Sequence, residues 1–117
     1  MKIQLGHSRI WNYKKDLYEL IEKSSLYKTH NFNFPHSDNK SINSKESLKN
    51  VDIFLCEVTF SSTGLWIEIW FASLYNKRII CFYKKWTKIS WSLKYVTNEF
   101  IEYSNKNDML EKMEKIL

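Results

Sequence analysis

The chain has 117 residues, with 18 lysines and arginines against 13 acidic residues and a formal charge of +5. That length holds one domain with a real core, residues 1–117, and excludes two independent ones. Apolar residues make up 44% of the chain, with only two glycines and one proline, which excludes a disordered or low-complexity protein.

In chain order, Lys2 to Leu5 reads as a short strand running into the loop Gly6-His7-Ser8-Arg9-Ile10-Trp11. From Asn12, the apolar positions Tyr13, Leu17, Leu20 and Ile21 recur at helical spacing up to Ser24. Tyr27 to Phe34 reads as extended and ends at Pro35. A polar loop, His36 to Ser41, then precedes a short helix around Ser44 to Lys49. Val51 to Cys56 and Arg78 to Tyr83 are near-continuous apolar runs, the form of strands buried on both faces. About a dozen helical residues lie between them, which makes a βαβ unit with a right-handed crossover and a parallel sheet. Phe100 to Tyr103 is a fifth strand. The closing helix puts Met109, Leu110, Met113, Ile116 and Leu117 on one face. The expected architecture is α/β, a single Rossmann-like or flavodoxin-like domain with a five-stranded parallel sheet flanked by helices. In such sheets ligands bind beyond the carboxyl ends of the strands, so the loops after Leu5 and Cys56 are the ones to watch.

Leu65 to Tyr75 is too short to cross a bilayer and is interrupted by Glu68, and the N-terminus lacks the apolar core of a signal peptide. A soluble, cytoplasmic protein is expected, with no membrane or nucleic-acid partner. Cys56 and Cys81 lie inside apolar runs without zinc spacing and read as buried reduced thiols. His30 and His36 have no acidic or thiol companion at ligand spacing, so neither a metal nor another cofactor is expected. The lysines are interleaved with acids. They suit an anionic ligand such as a phosphate as well as an ordinary solvated surface.

Glu68 is the one charge on a helix apolar nearly all round, a pattern that predicts burial on most faces. An unpartnered buried carboxylate is costly. A capping box does not account for it, because position 65, three residues earlier, is Leu. Two readings remain: a functional carboxylate near a helix N-terminus that also favours anions, or a structural ion pair with Lys77, Arg78 or another lysine.

The run from Val51 through Cys56-Glu57-Val58-Thr59-Phe60-Ser61-Ser62-Thr63-Gly64-Leu65-Trp66-Ile67-Glu68 to Asn76-Lys77-Arg78-Ile79-Ile80-Cys81 resembles the core of the nucleoside 2-deoxyribosyltransferase family. It is particularly similar to the deoxynucleoside 5'-monophosphate N-glycosidase branch. That family's pattern is an apolar strand, Ala-Glu-Val-Thr or Ser, a Ser-x-Gly-x-Gly turn, a Glu in an apolar helix, and an Asn-Lys strand. The resemblance covers about half the chain. It implies cleavage or exchange of an N-glycosidic bond, with Glu68 as the nucleophile that forms a covalent glycosyl-enzyme. It also implies that Ser62 and Gly64 contact a 5'-phosphate and that Ser92 reaches that phosphate from a neighbouring subunit, hence a homodimer or higher homo-oligomer.

The pattern departs at Trp66 and Trp70, which replace two family glycines, and at Ser44, which stands where the family has a second carboxylate. Trp66 can close part of the pocket or stack on a base, whereas Trp70 reads as core or dimer packing. Asp38, Glu46 and Asp52 are the acids nearest to Ser44 in sequence. In the first loop, Ser8 is a further substrate-binding candidate, Arg9 can bind phosphate and His7 can act as an acid near neutrality. Trp11, Tyr13 and Trp91 are candidates for a stacking wall or for core. The alternatives to that activity are a catalytically silent nucleotide sensor and a nucleotide-signal or NAD-type glycohydrolase resembling Toll/interleukin-receptor domains, which also carry a catalytic Glu on a flavodoxin-like sheet.

Overall fold

The computed structural model describes residues 1–8, 10–34, 44–60 and 62–117. Five strands form one sheet: β1 (Lys2–His7), β2 (Asn31–Asn33), β3 (Ile53–Glu57), β4 (Arg78–Lys84) and β5 (Glu99–Tyr103). Their order is β2-β1-β3-β4-β5 and every pairing is parallel. Chain order therefore reverses between β1 and β3, which makes that gap the switch point of the sheet.

A π-helical stretch, Lys14–Tyr18, runs into α1 (Glu19–Glu22), and α2 is Leu26–Thr29. Then come α3 (Ser44–Lys49), α4 (Thr63–Leu74), a 3₁₀ turn at Trp91–Tyr95 and α5 (Lys106–Ile116). Alternation along the strands sorts the core into two layers. On one face Ile3, Leu5, Leu55, Ile80 and Phe82 pack with Leu17 and Ile21 from the first helical segment and with Met109 and Met113 of α5. On the other, Phe54, Cys56, Ile79 and Cys81 pack with Leu48 of α3 and with Leu65, Ile69 and Ala72 of α4. Helices on both faces explain why all of β3 is buried and why its sequence shows no apolar–polar alternation.

Tyr27–Thr29 is helical instead of extended, and β2 has only three residues. The Tyr27 ring stacks on Phe34 at 6.0 Å between centroids, so its side chain is used without the backbone joining the sheet. A second correction concerns α4. Ile67, Trp70 and Leu74 are 50%, 60% and 57% exposed, and only Leu65, Ile69 and Ala72 are fully buried. The apolar run thus gives one buried stripe and one apolar face turned to solvent.

Both ends of α4 are closed by hydrogen bonds. At the start, the Ser62 hydroxyl accepts from the Leu65 N–H at 3.3 Å, the ordinary work of an N-cap. At the end, Asn76 adopts φ 56°, and the N–H groups of Asn76 and Lys77 donate to the carbonyls of Ser73 and Ala72. This is a Schellman motif, with Asn in the left-handed position that glycine usually takes. At the other end of the crossover, Gly6 is a contact glycine. A Cβ there would lie 2.3 Å from Phe54 Cζ and 3.3 Å from Leu65 Cδ1. The missing side chain lets the Phe54 ring and the first turn of α4 close onto β1.

Candidate functional site

The strands deliver their carboxyl ends, and the N-terminus of α4, to one rim of the sheet. Glu68 sits on the second turn of α4 and is half-buried. By helical spacing it shares a flank with Gly64, Phe71 and Tyr75. Lys49 of α3 lies 5.7 Å from the Tyr75 ring, so this flank is the one turned toward α3. Beneath it lies Cys56, whose thiol is pushed well up, first by burial, next by its neighbour Cys81 and then by the negative charges of Glu68 and Glu57. Cys56 and Cys81 are paired in register, free and buried.

Ser62 and Gly64 lie at the head of the same helix. Among the described residues, and apart from its chain neighbours and its own helix backbone, nothing lies within 4 Å of the place a Gly64 Cβ would occupy, which leaves room beside the first-turn N–H groups. Ser62 already serves as the N-cap acceptor, which leaves its O–H proton available to donate. Ser8, fully buried just past β1, lies 3.4 Å from the Ile10 N–H. In the first loop Arg9 lies outside the described residues, as do Ser61 and Asp38.

Trp66 and Ser92 are on the opposite flank of α4 from Glu68. Trp66 borders a cavity of about 370 Å³ shared with Thr59, Lys88 and Ser90. It also borders an apolar cleft of about 340 Å³ that contains Trp70, Ser92 and Tyr95. Within one copy, then, Ser92 and Glu68 are separated by the width of a helix. Trp91 is exposed, with the Lys94 ammonium 3.7 Å from its ring centre.

His7 belongs to the other face of the sheet. Its ring stacks on Tyr13 at 4.4 Å, Nδ1 donates to the Ser8 carbonyl at 2.9 Å, and Nε2 is hydrogen-bonded to the Tyr18 hydroxyl. Both ring nitrogens are thereby used. Trp11 stacks on Phe60 at 5.5 Å, joining the two loops that border the switch point. Of the acids near Ser44, Asp52 accepts from the Lys2 N–H at 2.8 Å. That bond places Asp52 at the amino ends of the strands, away from the rim. Glu46 pairs with Lys49 at 3.4 Å on α3.

Two buried polar residues carry more than the sequence reading gave them. Glu57, at the end of β3, is almost fully buried; its carboxylate accepts from the Thr59 N–H and the Tyr103 hydroxyl. Burial raises its pKa, against the lowering effect of those donors and of Lys84. The Tyr103 hydroxyl is raised in turn by burial and by the Glu57 charge. The second is Gln4, fully inaccessible in the middle of β1; its only sequence signal is one amide in an otherwise apolar strand.

Among the described residues no helix is long and apolar enough to cross a membrane, and no group of three or more His, Cys, Asp or Glu is placed to hold a metal ion.

An all-parallel five-stranded sheet in this order, with helices on both faces, is a Rossmann-like, flavodoxin-like α/β fold. Among solved structures the chain is similar to the CMP N-glycosidase BcmB of Clostridium botulinum, with 23% identity, 97% of this chain and 99% of that one covered, and a TM-score of 0.72. No family model and no curated protein matches the chain.

Proposed function

We propose that this protein cleaves the N-glycosidic bond of a nucleoside 5'-monophosphate, with Glu68 as nucleophile. The observation that carries the reading is the position of Glu68: the only charge on α4, half-buried, on the same flank as the open turn at Gly64. The phosphate binds at the first-turn N–H groups and the Ser62 hydroxyl, where the helix dipole favours an anion. This sets the sugar below it, within reach of the carboxylate. Glu68 attacks the anomeric carbon as the C–N bond breaks and the bonding pair leaves with the base, which takes up a proton. Water then hydrolyses the glycosyl ester and releases the sugar 5-phosphate. The likeness in fold to a CMP N-glycosidase makes CMP the first substrate to try.

The reading includes a homodimer in the cytoplasm. Support for the dimer comes from the exposed apolar face of α4 and from Ser92, which lies across that helix from Glu68 and completes the phosphate site from a second copy. The test is release of free cytosine from CMP and dCMP, followed by chromatography. Glu68→Ala should abolish it, and a fully active Glu68→Ala protein refutes the assignment. A second reading, a nucleotide binder without turnover, is favoured by Ser44 at the position of the family's second carboxylate. Binding of CMP with no base release distinguishes it.

A further inference from the structure

Between Glu68 and Glu99 the chain has no acidic residue and six basic ones: Lys77, Arg78, Lys84, Lys85, Lys88 and Lys94. The first two are committed at the amino ends of the strands, Lys77 to the Lys49 carbonyl at 2.9 Å and Arg78 to Glu99. The four lysines from the end of β4 onward are all exposed, and among the described residues none of them is in an ion pair. Two have their ammonium groups over indole rings, Lys85 at 5.3 Å from Trp86 and Lys94 at 3.7 Å from Trp91. A run of cations with no acid among them makes a positive field that draws in anions.

The same segment closes a cavity. After β4 the Thr87 N–H donates to the Lys84 carbonyl at 3.1 Å and Trp86 adopts φ 71°, a tight turn that brings the chain back alongside α4. Lys88 and Ser90 then line, with Trp66, the cavity of about 370 Å³ on the flank of α4 opposite Glu68. Its floor is the buried side chains of Leu65, Ile69 and Leu93, and no acid borders it. Ser90 Oγ accepts from the Ser92 N–H at 3.3 Å, so its O–H proton is left to donate. An apolar floor with an indole wall suits a planar ring. A mouth set among lysines suits several negative charges better than one. Trp66 stands where the family that the sequence resembles has a glycine, so the wall is peculiar to this chain. Ile67, Trp70 and Leu74 do not line the cavity, which separates it from the face assigned to the dimer.

We infer that this cavity is a second ligand site, which takes a nucleoside triphosphate with its ring against Trp66 and its phosphates on Lys88 and the neighbouring lysines. The site is distinct from the first turn of α4 and does not depend on the reading of Glu68. Both halves of the ligand are needed: the ring for the apolar floor, the polyphosphate for the cations.

The test is calorimetric titration with ATP, adenosine and inorganic triphosphate in magnesium-free buffer. Wild type should bind ATP on the order of tenfold or more tighter than either part alone. Lys88→Glu, at an exposed position, should weaken ATP on the order of tenfold and leave adenosine unchanged. Trp66→Ala should weaken ATP by a similar factor and leave triphosphate unchanged. Ser62→Asp keeps an N-cap residue on α4 but sets a carboxylate at its first turn; ATP affinity should hold there within about twofold. No binding of ATP, triphosphate binding as tightly as ATP, or an affinity lost in Ser62→Asp and kept in Lys88→Glu overturns the inference. Release of cytosine from CMP is a separate measurement, so either reading can fail without the other.

Discussion

Removing the Tyr103 hydroxyl tests whether the buried Glu57 carboxylate is held by its two donors. In Tyr103→Phe the ring still fills its place in the α5-side core, so the change isolates one hydrogen bond to an acid that burial has already pushed above its ordinary range. A hydrogen bond to a charged group contributes about 1.5–3 kcal/mol. A loss near 2 kcal/mol lowers Tm by roughly 8 °C in a domain of this size. The cost depends on pH, with a definite sign. Because the folded-state pKa of Glu57 is raised, the proton is held more tightly folded than unfolded. The contribution of this group is fully present below the unfolded value near 4.5 and is lost as pH rises through the folded value. Without the Tyr103 donor the folded pKa rises further, so that loss becomes deeper and extends to higher pH. Urea melts of wild type and Tyr103→Phe between pH 4 and pH 8 should therefore nearly coincide in acid and separate towards neutrality. A difference under about 0.5 kcal/mol at pH 7, or one independent of pH, refutes the argument.

Two further outcomes follow from the packing. Gly6→Ala must displace the Phe54 ring from a space already filled, and should cost about 1–3 kcal/mol in urea denaturation; a neutral result would mean that α4 is less tightly seated on β1 than its contacts imply. Trp70→Glu, on the exposed face of α4, should convert a dimer to a monomer in sedimentation equilibrium with Tm of the monomer little changed, and a dimer that survives it excludes this face as the interface.

The fold was legible because its signals are redundant. The runs at Val51–Cys56 and Arg78–Tyr83 are too short and too apolar for surface elements, and the helix between them leaves only a parallel pairing. Tyr27–Thr29 misled because an aromatic flanked by polar residues fits a short helix as readily as an edge strand, and the stacking on Phe34 that decides it is tertiary. The α4 run misled for a different reason: an all-apolar helix is what a core helix and an interface helix both look like, and a single chain does not say which. Glu68 stood out as the one charge on α4, and Gly6 could be read only as a loop start, since its partner ring comes from 48 residues away, at Phe54. Gln4 and Glu57 carried little signal because neither breaks a period. Their significance lies in which partners they have and lack.

The two closures of α4 have a consequence for how this protein can change. Ser62 closes its first turn and Asn76 with Lys77 its last by bonds within the segment, while its seat on the sheet is the buried stripe of Leu65, Ile69 and Ala72. The outer residues Ile67, Trp70 and Leu74 can be exchanged, and what α4 meets can be rewritten, while the buried stripe and the close contact of Leu65 with Gly6 keep the first turns of α4 against β1.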